Sequence, residues 1–99
     1  MTIKLVNRGT EGELLLQGRL DSTTAPEAEQ VIDELVERFD RLVLNLAGLD
    51  YMSSAGLRIL KKTHVAMRKK GGELVLTHVG KMVMEVLEMT GFAGLLQFE

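Results

Sequence analysis

Five consecutive residues, Leu42-Val43-Leu44-Asn45-Leu46, constrain this chain more than any other stretch. A run in which nearly every side chain is apolar cannot alternate between core and water. It reads as a strand covered on both faces, the usual setting of parallel strands. Parallel neighbours need long crossovers, most often helices, and the flanking sequence supplies them. Ala25, Ala28, Ile32, Leu35 and Phe39 recur at helical spacing before the run. After it come Leu57, Leu60, His64 and Met67, flanked by Ile59, Thr63 and Ala66. Leu74 to Val79 reads as a further strand, and Lys81 to Met89 as a third helix stopped at Gly91. Upstream, Ile3 to Val6 and Leu14 to Leu20 read as two strands. Gly9-Thr10-Glu11-Gly12 supplies turn chemistry between them, so a hairpin is expected. Leu95 to Phe98 reads as a short last strand or helical turn. Strand, strand, helix, strand, helix, strand, helix and tail make an α/β chain with right-handed crossovers in its second half. With 99 residues and no linker, repeat or low-complexity stretch, residues 1–99 are expected to form one domain.

Local punctuation refines this. Thr24 and Glu27 have the spacing of a capping box, with Pro26 tolerated in the first turn of the helix. Ala47 to Met52 reads as a loop after the central strand, and Gly71-Gly72 ends the second helix. Met82, Met84 and Met89 are expected mainly as core filler.

Composition removes most chemistry. The absence of cysteine excludes disulfide scaffolds, thiolate metal sites and cysteine nucleophiles, and favours a cytoplasmic setting. A net charge of −2 disfavours direct nucleic-acid binding, and aromatics at 4% offer little for base stacking. No apolar run approaches a membrane span, and the first residues lack the apolar stretch of a leader. No Gly-x-Gly-x-x-Gly, Walker A or Gly-x-Ser-x-Gly motif occurs, and His64 and His78 have no ligand partners at metal-site spacing. The chain therefore reads as a non-enzyme with no metal and no cofactor. Nucleotide binding or hydrolysis would lack a phosphate-cradling loop. The charge is unevenly spread. Residues 1–50 carry ten acids against five Lys and Arg, whereas residues 51–99 carry seven cations against four acids. Each excess falls on a helix, acidic on the first and basic on the second.

The informative place is the junction between the central strand and the second helix, where Ser53 and Ser54 stand side by side. In open α/β sheets, function gathers at the carboxyl ends of strands. One serine is expected as the helix N-cap. The other is a candidate phosphoacceptor, because free N–H groups and the helix dipole favour an anion there by about 0.3–1 kcal/mol. Phosphate adds about −1.5 to −2 charge. Such a modification leaves the fold intact yet could cost several kcal/mol if buried unpaired in an interface.

These residues carry a resemblance to a known family. Gly18-Arg19-Leu20-Asp21 with Ala25-Pro26, then Leu42-Val43-Leu44-Asn45-Leu46 ahead of Asp50-Tyr51-Met52-Ser53-Ser54-Ala55-Gly56-Leu57-Arg58, then Gly71-Gly72-Glu73-Leu74-Val75-Leu76, resemble the STAS domain and, within it, the anti-sigma factor antagonists. The resemblance implies a mixed, mostly parallel sheet with an N-terminal hairpin and helices mainly on one face. It implies partner switching. The unphosphorylated protein binds an anti-sigma factor that is also an ATP-dependent serine kinase. Phosphorylation ends the complex, and a metal-dependent serine phosphatase resets the cycle. Ser54 matches the family's phosphoacceptor, Ser53 a position often occupied by Asp, and Ala55 one often Ser or Thr. Asp21, Ser53, Ser54, Ala55, Gly56 and Arg58 are the residues expected at the partner surface, and a monomer is expected in isolation. The alternative keeps the fold and drops the switch: a STAS subunit of a lipid-transport ABC complex, or a signalling scaffold, bound to an ATPase.

Overall fold

A computed structural model describes all residues, 1–99. The elements are β1 (Thr2–Arg8), β2 (Glu11–Leu20), α1 (Ala25–Arg38), β3 (Arg41–Met52), α2 (Ser54–Lys69), β4 (Glu73–Thr77), α3 (Lys81–Met89), a 3-10 turn (Phe92–Gly94) and β5 (Gln97–Phe98). They form one five-stranded sheet in the order β1-β2-β3-β4-β5. The β1–β2 hairpin is antiparallel, and every later pairing is parallel. From β2 onward each strand is laid on the same side of the one before. Right-handed crossovers then place α1, α2 and α3 on one face of the sheet.

Strand alternation makes the two faces chemically unlike. Leu14, Leu16, Leu42, Leu44, Leu46, Leu74 and Leu76 point toward the helices. They join Ile32, Leu35, Ile59, Leu60, Met67, Val83 and Leu87 in a core of 22 buried residues. The other face has no helix. Val43 and Val75 are buried there, outside that core, among longer polar side chains. Arg41 donates to Glu11 and Glu73, both at 2.6 Å, and to Glu99. Glu13 accepts from Arg8 at 2.9 Å and from Asn45 at 3.1 Å, in that order of influence, and its carboxyl is held below the usual range.

Three sequence expectations need correction. The central strand does not end at Leu46. It runs to Met52, because β2 extends to Leu20 and offers a pairing edge throughout. One extra β3 residue is absorbed between the Leu15↔Asn45 and Gln17↔Gly48 pairs, and another between Gly18↔Leu49 and Arg19↔Tyr51. Such bulges hide a strand from periodicity. The Thr24–Glu27 capping box is absent. The Thr24 side chain makes no cap bond to its helix and donates to the Arg19 carbonyl at 2.7 Å instead. Met82 and Met89 are 60% and 86% exposed, not core. Val83 and Leu87, four apart, take the inward face of α3 and turn those methionines out. On α2 the buried polar position is Thr63, whose hydroxyl donates to the Ile59 carbonyl at 2.7 Å, while His64 is half-buried.

Gly72 shows how tightly β4 enters the sheet. Its amide donates to the Met67 carbonyl at 2.8 Å, and the Glu73 amide donates to the Asp40 carbonyl at 3.0 Å. A Cβ at Gly72 would collide with that same Asp40 carbonyl oxygen, a backbone atom that cannot swing aside. Gly72→Ala is expected to destabilise the chain by about 1–3 kcal/mol through overpacking. Urea unfolding of both proteins should show a lower midpoint with an unchanged slope.

Candidate functional site

The rim is formed by two parallel strands. β2 and β3 end side by side at the paired residues Leu20 and Met52, so Asp21 and Ser53 are the first residues beyond that edge, whereas β4 ends at Thr77 opposite Asn45, well short of it. The Ser53 amide donates to the Leu20 carbonyl at 2.9 Å. This one bond holds the start of α2 against the end of β2 and brings Asp21 alongside the two serines.

The serines divide two tasks. Ser53 is the N-cap. Its backbone is extended and its side chain accepts from the Ala55 amide at 3.2 Å. Ser54 is the first helical residue and is exposed. Its hydroxyl therefore lies at the positive end of a 16-residue helix, open to solvent and not consumed by capping. Gly56 explains how α2 comes so close to the rim. A Cβ there would lie 2.7 Å from Met52 Cγ and 2.9 Å from Leu20 Cδ2. Of the six residues expected at a partner surface, Ser54 and Arg58 are exposed, and Asp21, Ser53 and Ala55 are half-buried. Gly56 is buried against the core, so it shapes the surface from beneath and presents none of it.

Asp21 is a structural pivot as well as a rim residue. Its Oδ1 accepts from the Thr23 amide at 3.0 Å and the Thr24 amide at 3.1 Å, and its carbonyl accepts from the Ala25 amide at 2.8 Å. It closes the turn that opens α1, the task that spacing had assigned to Thr24. Two rim residues escaped sequence reasoning. The Arg19 guanidinium lies 4.3 Å from the centre of the Tyr51 ring, and its Nε is 3.7 Å from Asp21. Tyr51 fell in a stretch read as loop, so its register partner on β2 was invisible. A signal existed in the side-chain types, because Arg stacks on aromatic faces, but pairing them required the true length of β3. No group of three or more metal-type side chains converges here or elsewhere in the chain, and no helix is long and apolar enough to cross a membrane.

The division of labour between the serines is testable. Ser53→Ala should cost about 1 kcal/mol by removing the cap, whereas Ser54→Ala should leave the unfolding midpoint nearly unchanged. Asp21 gives a pH signature. Hydrogen bonds from the Thr24 amide first, then from the Thr23 amide, hold its carboxyl below the usual value of 3.8. A carboxyl lowered by folding stabilises the folded state fully above the unfolded value and loses that contribution as pH falls through the folded one. Asp21→Ala should therefore flatten the acid limb of the stability–pH curve. A carbon-detected NMR titration of the wild type should place Asp21 below the usual aspartate value.

The model of the family described as STAS domain matches residues 4–99. The Bordetella bronchiseptica protein BtrV, provisionally named an anti-sigma factor antagonist, is 38% identical over 96 residues, covering 94% of this chain and 83% of its own. The anti-sigma F factor antagonist of Paenibacillus polymyxa is 32% identical over 78 residues, covering 77% of this chain and 67% of its own. Among solved structures, the unphosphorylated anti-sigma factor antagonist SpoIIAA superposes with a TM-score of 0.85 at 16% identity, over 99% of this chain and 88% of its own. SpoIIAA of Bacillus in its phosphorylated form superposes with a TM-score of 0.78 at 15% identity, over 99% of this chain and 91% of its own. The family match over nearly the whole chain and the shared fold agree, and this chain belongs to the STAS domain family.

Proposed function

We propose that the chain is an anti-sigma factor antagonist that works by partner switching at the serine rim. Unphosphorylated, it binds an anti-sigma factor that doubles as a serine kinase and so frees the kinase's other partner. Phosphate on Ser54 ends that complex, and a metal-dependent serine phosphatase restores it. The observation that carries this reading is the split between Ser53, whose side chain caps the helix, and Ser54, which is exposed at its first turn. The names of the similar proteins support its coarser part, the antagonist of an anti-sigma factor.

The physics favours a switch that acts on the complex and spares the fold. A phosphate on Ser54 meets the positive end of α2, a mildly favourable site worth about 0.3–1 kcal/mol when exposed. Arg58, one turn further along the same face, is also close enough to soften the added charge. Within an interface the same dianion must be desolvated, and an unpaired charge there costs several kcal/mol. Each 1.4 kcal/mol is about a tenfold loss of affinity. The Ser54 side therefore has little influence on folding and a large one on association. The chain itself acts as the substrate of the transfer and does no catalysis of its own.

Intact mass after incubation with a candidate anti-sigma factor kinase and ATP tests this. Wild type should gain one phosphate, and Ser54→Ala none. The phosphorylated chain should bind the kinase at least about 100-fold more weakly than the unmodified chain, given the cost of a buried unpaired charge. A wild-type chain that stays unmodified under a kinase active on another antagonist would sink the switch. A stable complex with an ATPase subunit would then point to the constitutive STAS subunit.

A further inference from the structure

Ser54, Arg58, Lys61, Val65 and Arg68 follow one another at alternating intervals of four and three. That spacing puts them on one stripe of α2, and all five are exposed. The stripe spans about 21 Å at 1.5 Å per residue. It borders a shallow groove of about 400 Å³ lined by Arg58, Lys61, Lys62, Val65, Ala66 and Lys69. A second depression continues it past His64 and Arg68 to the exposed Leu95 of the tail. Every fully charged side chain lining the two is a cation. Of these, Lys62 alone is neutralised, by Glu29 at 2.9 Å and Asp33 at 3.0 Å on α1. Arg58, Lys61, Arg68 and Lys69 take part in none of the chain's ion pairs. Val65, 40% exposed, is the apolar point in their midst.

The geometry points to a second half of the partner surface: the outer groove of α2, occupied by a carboxylate-rich amphipathic helix of the anti-sigma factor. An apolar side chain of that helix sits against Val65 and Ala66. Its acids face Arg58 and Lys61 on one side and Arg68 and Lys69 on the other. This deepens the reading above, on which it rests. A narrow segment fits better than a broad polyanion. The acidic α1 lies beside α2, with Asp33, Glu34 and Glu37 exposed, and an anionic membrane or a nucleic acid would meet that repulsion. The surface also links charge to switching. Phosphate on Ser54 stands on the same stripe and takes about two units from the four uncompensated positive charges of the stripe and groove together. It weakens attraction along the helix as well as blocking contact at the rim.

Titration of the purified anti-sigma factor into the chain over a range of salt concentrations tests this. The Lys61→Glu/Arg68→Glu double variant should bind about 30-fold more weakly or worse, mainly through slower association, and lose most of the salt dependence. Val65→Asp should weaken binding about tenfold. Lys4→Glu, an exposed reversal on β1, should change it by less than about twofold. Thermal melts close to wild type separate these losses from unfolding. A double variant that binds within about twofold of wild type, with an unchanged salt dependence, overturns the groove and leaves the serine rim standing. A wild-type chain that binds no anti-sigma factor overturns the antagonist reading, and the groove with it. Cosedimentation with phosphatidylserine vesicles that the double variant abolishes would make lipid the occupant and overturn the proposal as well.

Discussion

Everything at the rim depends on the leucine rows beneath it. Leu14 and Leu16 of β2, Leu42, Leu44 and Leu46 of β3, and Leu74 and Leu76 of β4 give the sheet one greasy face. Burying an aliphatic side chain is worth about 1.5–3 kcal/mol, so these rows demand cover. The handedness of crossovers then leaves no freedom over where the helices lie. Because β2, β3 and β4 run the same way, the start of every helix falls beside the end of a strand. The bond from Ser53 to the Leu20 carbonyl is short-range, but it exists because long-range packing brought those two ends together.

Much of this was legible in the sequence, and the reasons differ from place to place. The apolar run at Leu42 to Leu46 announced a central parallel strand because burial on both faces erases alternation. Helix α2 was legible because Leu57, Leu60 and Met67 keep a 3.6-residue period and Gly71-Gly72 ends it. The last six residues of β3 were not, because two bulges break the period of two just where the strand passes its loop-like Gly48 and Asp50. The cap of α1 was misassigned for a similar reason. A spacing rule named Thr24, whereas Asp21 could reach the amides of Thr23 and Thr24 only after β2 had delivered it to the turn. Met82 and Met89 were placed inside by residue type, although the helical period, with Val83 and Leu87 inward, already turned them out. At the rim, the serine pair was legible as a pair. Which of the two caps the helix was not, since that depends on one residue of helical register.

That one residue matters for the chemistry. If Ser54 were the cap, its oxygen would be held by a backbone amide and modification would cost the helix its first bond. With Ser53 in that place, the helix keeps its cap whatever happens at Ser54. The domain can therefore carry two charge states on one backbone. Such an arrangement suits a protein whose message is its occupancy by a partner, because neither state has to be bought with stability.

The helix-free face of the sheet has a consequence of another kind. Its polar residues, Glu11, Glu13, Arg41, Asn45 and Glu73, are interleaved along the chain with the leucines of the opposite face. Yet their side chains bond to one another and to Arg8, Glu99 and the Ala47 amide, and to nothing in the leucine core. Odd and even positions of the same strands thus belong to two separate grammars, one written in volume and the other in charge. A lineage can rewrite the second, swapping the Arg41 hub and its carboxylates as a set, without altering a word of the first. The reverse of the sheet is in this sense a free page on which members of one fold can record different histories while the rim keeps its geometry.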